Sequence, residues 1–322
     1  MREPDASYQA AFHRRWGHLR RARVRALAWL LDSPDLLDAG APHWEGRIAS
    51  TGPVTPELAR WLLELDHDPA PLDAALGPRV YTRLGLYAEK LMAFYYQHQG
   101  RLVAQGLQVR ANRNDTVGEF DFLLDAGLDA LEHIEFATKF YLLQGGPTQQ
   151  LDALVGPNLA DSLGAKMRKI FGRQLALGAH PAAQPLLPRP VTLARALVKG
   201  WLFYPAGSWP AMSGITAGHC RGFWCALGEL DALGADAFLV LPKLQWLAPF
   251  RAAQAASTMN RAQLHAALEA QFENNPAPVL VAVVRATPGL VEEVERGFIV
   301  PNDWRARAEA RAANGNMQNI VW

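Results

Sequence analysis

The chain has 322 residues, of which half are hydrophobic and a fifth are charged. This composition is typical of a folded globular protein and excludes a chain that is disordered throughout. The formal net charge of +1 argues against a protein that coats a polyanion broadly, but it allows a local basic groove.

Cysteine content and hydropathy predict the compartment. Cys220 and Cys225 are the only cysteines, and together with His219 they are one ligand short of a structural zinc site, so we expect two small buried apolar residues. Residues 1–5 contain no apolar signal core, and no segment approaches the roughly 20 apolar residues that span a bilayer. We therefore expect no membrane association and a cytoplasmic location.

The pattern of residues 1–77 predicts an N-terminal helical region. Apolar residues recur at helical spacing over residues 8–32, where six arginines also lie. These arginines could bind phosphates or could form a solvated helix face. Ser33 before Pro34 predicts the N-cap of a new helix, and Thr55 predicts the N-cap of a later one.

A helix and a strand are predicted next. Apolar residues three and four apart indicate a helix over residues 84–99, and Gly100 ends it. Glu89 lies on a different face of this helix from Tyr87, so it could look along a sheet edge or face solvent. Alternating residues over 102–112 predict a strand.

Two alternating segments between residues 118 and 142 predict an antiparallel hairpin. They read Gly118-Glu119-Phe120-Asp121-Phe122 and Ile134-Glu135-Phe136-Ala137-Thr138-Lys139. Strand alternation places Glu135, Ala137 and Lys139 on one face. Since neighbouring strands lie roughly 4.8 Å apart, Asp121 and Glu135 could hold one hard cation.

The same carboxylates could instead lie on a solvated hairpin face, where ion pairs are weak. The opposite face, however, is apolar throughout and comprises Phe120, Phe122, Leu124, Ile134, Phe136, Phe140 and Leu142. A central hairpin would leave the carboxylates partly desolvated, which costs several kcal/mol unless a cation or a lysine offsets it. The pattern therefore favours a cation site.

These residues resemble the core of the PD-(D/E)XK nuclease superfamily, in which an Asp begins the second core strand and Glu-x-Lys lies on the third. The whole chain is similar to a bacterial family known only as a domain of unknown function and grouped with these nucleases. The resemblance implies an α/β fold, with a restriction-endonuclease-like core at residues 78–178. The residue patterns themselves indicate a helical region before this core and a C-terminal α/β module at residues 192–322 after it.

The resemblance also implies a site and a reaction. Asp121 and Glu135 would bind Mg²⁺ or Mn²⁺, with Glu89 as a further ligand, and Lys139 would orient water or stabilise developing charge. The reaction would be phosphodiester hydrolysis in DNA or RNA. The superfamily's lysine stands two residues after the glutamate, where this chain has Ala137. The alternative is therefore a catalytically silent fold that binds nucleic acid or protein.

A basic stripe follows the hairpin. Asp161 predicts the cap of a helix that reaches residue 177, on which Lys166, Lys169 and Arg173 lie three and four residues apart. By the resemblance, the stripe could guide a nucleic-acid backbone past the metal; it could also be a solvated face. Four prolines predict a linker over residues 178–191.

The last part of the chain predicts the α/β module. Strands are indicated at 199–204, 222–227, 238–241 and 279–284, with a helix over about 258–272. Six tryptophans lie here, at positions 201, 209, 224, 246, 304 and 322. Such residues can stack single-stranded bases, but they also pack in cores.

Overall fold

A computed structural model describes residues 7–78, 80–112, 115–145, 150–205, 209–253 and 257–318. The strands are β1 (Leu102–Asn112), β2 (Asp115–Gly127), β3 (Ala130–Leu143), β4 (Leu154–Val155), β5 (Val191–Pro205), β6 (Cys220–Ala226), β7 (Phe238–Val240), β8 (Arg251–Ala252), β9 (Val279–Thr287) and β10 (Leu290–Val300). The α-helices are α1 (Tyr8–Trp16), α2 (Ala22–Asp32), α3 (Pro56–His67), α4 (Ala70–Leu76), α5 (Leu84–His98), α6 (Leu163–Lys169), α7 (Arg261–Asn274) and α8 (Trp304–Gln318).

The described strands form one mixed sheet of ten, which confirms the α/β class. Its main path runs β1-β2-β3-β5-β6-β10-β9-β7, while β4 pairs with β3 and β8 pairs with β10. The pairs along β3-β5-β6-β10 are parallel, and those at both ends of the path are antiparallel. The pairing of β3 with β5 joins strands of the predicted core to strands of the predicted C-terminal module. The domain boundaries themselves stay a prediction.

The N-terminal helices pack on the sheet through a large apolar cluster that also contains residues of α5. Thr55 caps α3 as predicted, since its hydroxyl accepts the N–H of Leu58 at 3.3 Å. The prediction for Ser33 was wrong. Ser33 ends α2 with extended backbone geometry and caps no following helix. Arg25 is buried and donates to the carbonyls of Trp16 and Pro249, so it serves backbone groups rather than an external phosphate.

The predicted hairpin is formed by β2 and β3. Leu128 and Asp129 connect them with positive φ angles of 49° and 58°, the backbone of a tight two-residue hairpin turn. The predicted apolar face is confirmed for six residues, which lie in the cluster under α5: Phe122, Leu124, Ile134, Phe136, Phe140 and Leu142. Phe120 instead packs in a separate cluster with Leu177. The β2–β3 ladder ends at Phe122 and Ile134, so Phe120 lies beyond the last pair with β3, although it still pairs with Leu107 of β1.

Core packing accounts for three of the tryptophans, because Trp201, Trp224 and Trp304 are at most 2% exposed. Cys220 and Cys225 are buried free thiols, as expected. None of the helices within the described ranges is long and apolar enough to cross a lipid bilayer.

Candidate active site

Two carboxyl groups lie where the β2–β3 ladder ends, and a third lies within electrostatic range of them. Asp121 and Glu135 are the residues that follow the last paired positions, one on each strand. Asp121 Oδ2 accepts the backbone N–H of Phe136 at 2.9 Å, which holds this carboxylate against β3. Glu89 approaches from α5, close enough for the charge of Asp121 to raise its pKa. The structure thus places the three acids that the sequence predicted within electrostatic range of one another.

Burial changes the protonation of all three acids. It is the main cause of the raised pKa of Glu89, which reaches about 7, and the charge of Asp121 adds to it. Burial likewise raises the pKa of Asp121 and of Glu135, and the charge of Asp121 further raises that of Glu135. Glu135 is 1% exposed, the most buried of the three. At neutral pH the cluster therefore retains protons that solvated carboxyls would have released.

Lys166 of α6 supplies the positive charge beside these acids. Its Nζ lies 3.6 Å from Glu135 Oε1, and its charge lowers the pKa of both Asp121 and Glu135. Gln174 connects the pair, because its Nε2 donates to Glu135 Oε1 while its Oε1 accepts from Lys166 Nζ at 3.2 Å. Gln174 ends a π-helical turn, Ile170–Gln174, that continues α6. Such turns are frequent at functional sites.

Lys139, the lysine predicted to act in catalysis, has other partners. Its Nζ lies 3.5 Å from Asp161 Oδ2, which also accepts the hydroxyl of Tyr141 at 2.8 Å. Burial lowers the pKa of Lys139, whereas Asp161 raises it. Asp161 is not the helix cap that we expected, since Ser162 caps α6 through the N–H of Ala165.

A cavity of about 620 Å³ opens beside Asp121. It lies between the first half of β2 and the segment that follows α6. Lys169, Arg173 and Gln174 line it, and so does Leu177. Two of the three predicted basic residues therefore face this cavity, and the third, Lys166, lies at Glu135. The basic stripe is thus divided between the acids and the cavity wall.

His133 is a buried neighbour of the acids. Its Nε2 lies 3.9 Å from Glu135 Oε2, and among the described residues neither atom has a hydrogen-bond partner. Burial lowers the pKa of His133 to about 4, so the ring is neutral at neutral pH. A neutral ring adds no further charge to this buried cluster.

The donor atoms can be compared with what a metal ion requires. Among the residues that the structure describes, no three Asp, Glu, His or Cys side chains form a ready ligand set. Asp121 and Glu135 nevertheless offer hard oxygen atoms, and Oε2 of Glu135 is buried without a partner. Mg²⁺ keeps several waters and binds through as few as one or two carboxylates. The donor atoms of the pair are of the type that Mg²⁺ and Mn²⁺ prefer, whereas a structural zinc site would need four ligands.

The raised pKa values predict a pH dependence of stability. The unfolded chain releases the three protons near an ordinary pKa of about 4, whereas folded Glu89 keeps its proton to about pH 7. The folded protein binds more protons in this window, so its free energy of unfolding should fall as pH rises from about 5 through 7. We expect Glu135→Gln to weaken this dependence and to add on the order of 1 to 3 kcal/mol at pH 8.

Urea denaturation in EDTA between pH 5 and pH 8 measures this effect. Glu64→Gln is the matched control, because Glu64 is an exposed residue of α3. It should follow the wild-type pH dependence. Equal pH dependence for Glu135→Gln and the wild type would contradict the prediction.

The comparisons with known proteins identify a family without a known function. No curated protein and no solved structure matches the chain. Residues 25–300, well over half of the chain, match the family described as Domain of unknown function (DUF1853). The matched range includes Glu89, Asp121, Glu135 and Lys166. The chain therefore belongs to the DUF1853 family.

Proposed function

We propose that the protein is a metal-dependent nuclease that hydrolyses phosphodiester bonds in DNA or RNA, and that residues 78–178 form a PD-(D/E)XK-like core. The observation that supports this most is the convergence of Glu89, Asp121 and Glu135, with Lys166 beside them. Burying like charges destabilises a fold, so such a cluster is more typical of a functional site than of a purely structural one.

Each residue has a role in this proposal. Asp121 and Glu135 would hold Mg²⁺ or Mn²⁺, and Glu89 would bind the ion or one of its waters. When bound, the ion would lower the pKa of a water and offset charge that develops on the phosphate. Lys166, held by Gln174, would donate to a phosphate oxygen or to the attacking water. Lys169 and Arg173 would bind flanking phosphates.

The second candidate is the silent fold that binds nucleic acid or protein. Ala137 favours it, because this residue occupies the superfamily's lysine position and cannot donate a hydrogen bond through its side chain. Lys166 could replace the missing lysine, since it brings an ammonium group to Glu135 from another element. Metal binding and cleavage distinguish the two candidates.

We expect Mn²⁺ to stabilise the wild-type protein and to support cleavage of plasmid or labelled oligonucleotides. A ligand at 100 times its Kd adds about 2.7 kcal/mol to the free energy of unfolding. Thermal unfolding with Mn²⁺ or EDTA measures the first effect, and gel assays measure the second. Asp121→Ala and Glu135→Ala should lose both effects. Absence of both effects in the wild type would favour the silent fold, and cleavage that survives both substitutions would refute the assignment.

A further inference from the structure

The burial of the acids restricts how a phosphate can reach them. Glu135 is 1% exposed, and Asp121 and Glu89 are only partly exposed. Residues of α5 pack over one face of the hairpin, and Gln174 of the π-helical turn contacts Glu135 from another element. Of these groups, Asp121 and Gln174 line the 620 Å³ cavity. A phosphate that approaches through this cavity would meet Asp121 first.

The size of the cavity limits what can enter. A sphere of the same volume is about 11 Å across, and pockets of roughly 300 to 1,000 Å³ take small organic ligands. One or two nucleotides of a single strand are of that size. Double-stranded DNA, whose grooves alone are about 12 Å and about 6 Å wide, is too thick to enter. An intact duplex would have to leave its scissile phosphate outside.

The side chains on the cavity wall complement the chemistry of a polynucleotide strand. Lys169 and Arg173 offer cationic groups for phosphates, and both are exposed. Val117, which is partly exposed, adds apolar surface on which a sugar or base can rest, and the buried side chain of Leu177 closes the wall behind it. Arg173 also donates to the carbonyl of Val117 at 3.0 Å, which holds the guanidinium at the wall. A charged track beside apolar surface is typical of proteins that bind single strands.

We infer that the cavity binds a single-stranded polynucleotide, or the unpaired end of a duplex, with its backbone passing Lys169 and Arg173 to reach Asp121. This inference rests on the proposed function and specifies its substrate class. The lining residues would contact phosphates and apolar parts of the strand, which DNA and RNA share. Single-stranded DNA and single-stranded RNA are therefore separate arms of the test.

Fluorescence anisotropy in EDTA tests the inference without metal or turnover. The probes are labelled 20-mers: single-stranded DNA, single-stranded RNA, blunt duplex DNA and duplex with a single-stranded overhang. We expect at least one type of single strand, and the duplex with the matching overhang, to bind at least about 10-fold more tightly than the blunt duplex. Arg173→Gln and Lys169→Gln should each weaken single-strand binding and reduce the magnitude of its salt slope by about one.

Arg168→Gln is the matched control. Arg168 is an exposed neighbour on α6 that pairs with Asp152 at 2.8 Å and does not line the cavity. It should leave single-strand affinity within about 2-fold of wild type. Leu177→Trp, which fills the cavity, should reduce binding of single strands while circular dichroism shows a retained fold. If Leu177→Trp fails to fold, the arginine and lysine variants decide the result alone.

Two outcomes would overturn the inference: blunt duplex binding as tightly as every single strand, or Arg168→Gln weakening binding as much as Arg173→Gln. These outcomes are separable from failure of the proposed function. Single-strand binding without cleavage in Mn²⁺ would refute the nuclease and leave the cavity assignment standing. Cleavage of blunt duplex as fast as single strands would refute the cavity assignment and leave the nuclease.

Discussion

Asp121→Asn will reduce metal-dependent cleavage by at least about 100-fold, because it removes an anionic oxygen from the proposed ion site and leaves the fold in place. The fold is preserved because an Asn side chain still offers an oxygen to the N–H of Phe136, the contact that Asp121 makes in the structure. Loss of a partly buried charge also removes a destabilising term. Initial rates on labelled single-stranded oligonucleotides in Mn²⁺, alongside thermal unfolding in EDTA, measure the two effects.

Asp161→Asn is the control for this substitution. Asp161 is a nearby aspartate whose partners are Tyr141 and Lys139, and it does not contact Glu135. We expect it to retain activity within about 5-fold of wild type. Equal losses for the two variants, or an Asp121→Asn enzyme within 10-fold of wild type, would show that the carboxyl cluster is not the reaction centre.

Lys166→Met will cost about 100-fold to 1,000-fold in kcat, and Lys139→Met will cost less than 10-fold. The difference follows from position, since Lys166 Nζ lies 3.6 Å from Glu135 Oε1 whereas Lys139 Nζ lies 3.5 Å from Asp161 Oδ2. Methionine keeps most of the apolar stem of lysine and removes its charge and its donors. Steady-state kinetics on one oligonucleotide gives kcat and KM for both variants.

The kinetic pattern separates chemistry from binding. A lysine that stabilises charge in the transition state changes kcat, whereas a lysine that only holds a flanking phosphate changes KM. Lys169→Met provides the second pattern, because Lys169 lines the cavity beside the acids. A larger loss of kcat for Lys139→Met than for Lys166→Met would contradict this prediction and indicate that Lys139 is the catalytic lysine.

Local pattern predicted several elements well. Alternation over residues 102–112 matches β1, and the hairpin lies where the two alternating segments place it. These predictions succeed because strand alternation and turn geometry are decided by neighbouring residues. The proximity of the two acids was predictable for the same reason, since a hairpin places the residues before and after its turn on neighbouring strands.

Strand β10 shows where local pattern fails. Its sequence contains four charged residues within five positions, a pattern typical of a solvated loop. They are Glu292, Glu293, Glu295 and Arg296. In the structure Glu293 and Arg296 are fully buried and form an ion pair at 2.6 Å, and a register shift interrupts the strand between Glu293 and Glu295. The pair is completed from outside the strand, because Arg296 also donates to the carbonyl of Ala248 and Glu293 accepts the backbone N–H of Phe250. The pattern of the strand alone could not reveal these contacts, and so could not reveal a buried strand.

The candidate site also has a part that local sequence predicts and a part that it does not. The sequence by itself determined that Asp121 and Glu135 lie together on a hairpin, because their separation depends on strand geometry and a tight turn. Only the tertiary structure decided that Lys166 and Gln174 reach Glu135, which precedes Gln174 by 39 residues. It also decided how deeply the acids are buried and what lines the cavity beside them. Burial, pKa and reach depend on residues that are neighbours in space, and a sequence specifies those neighbours only through the complete fold.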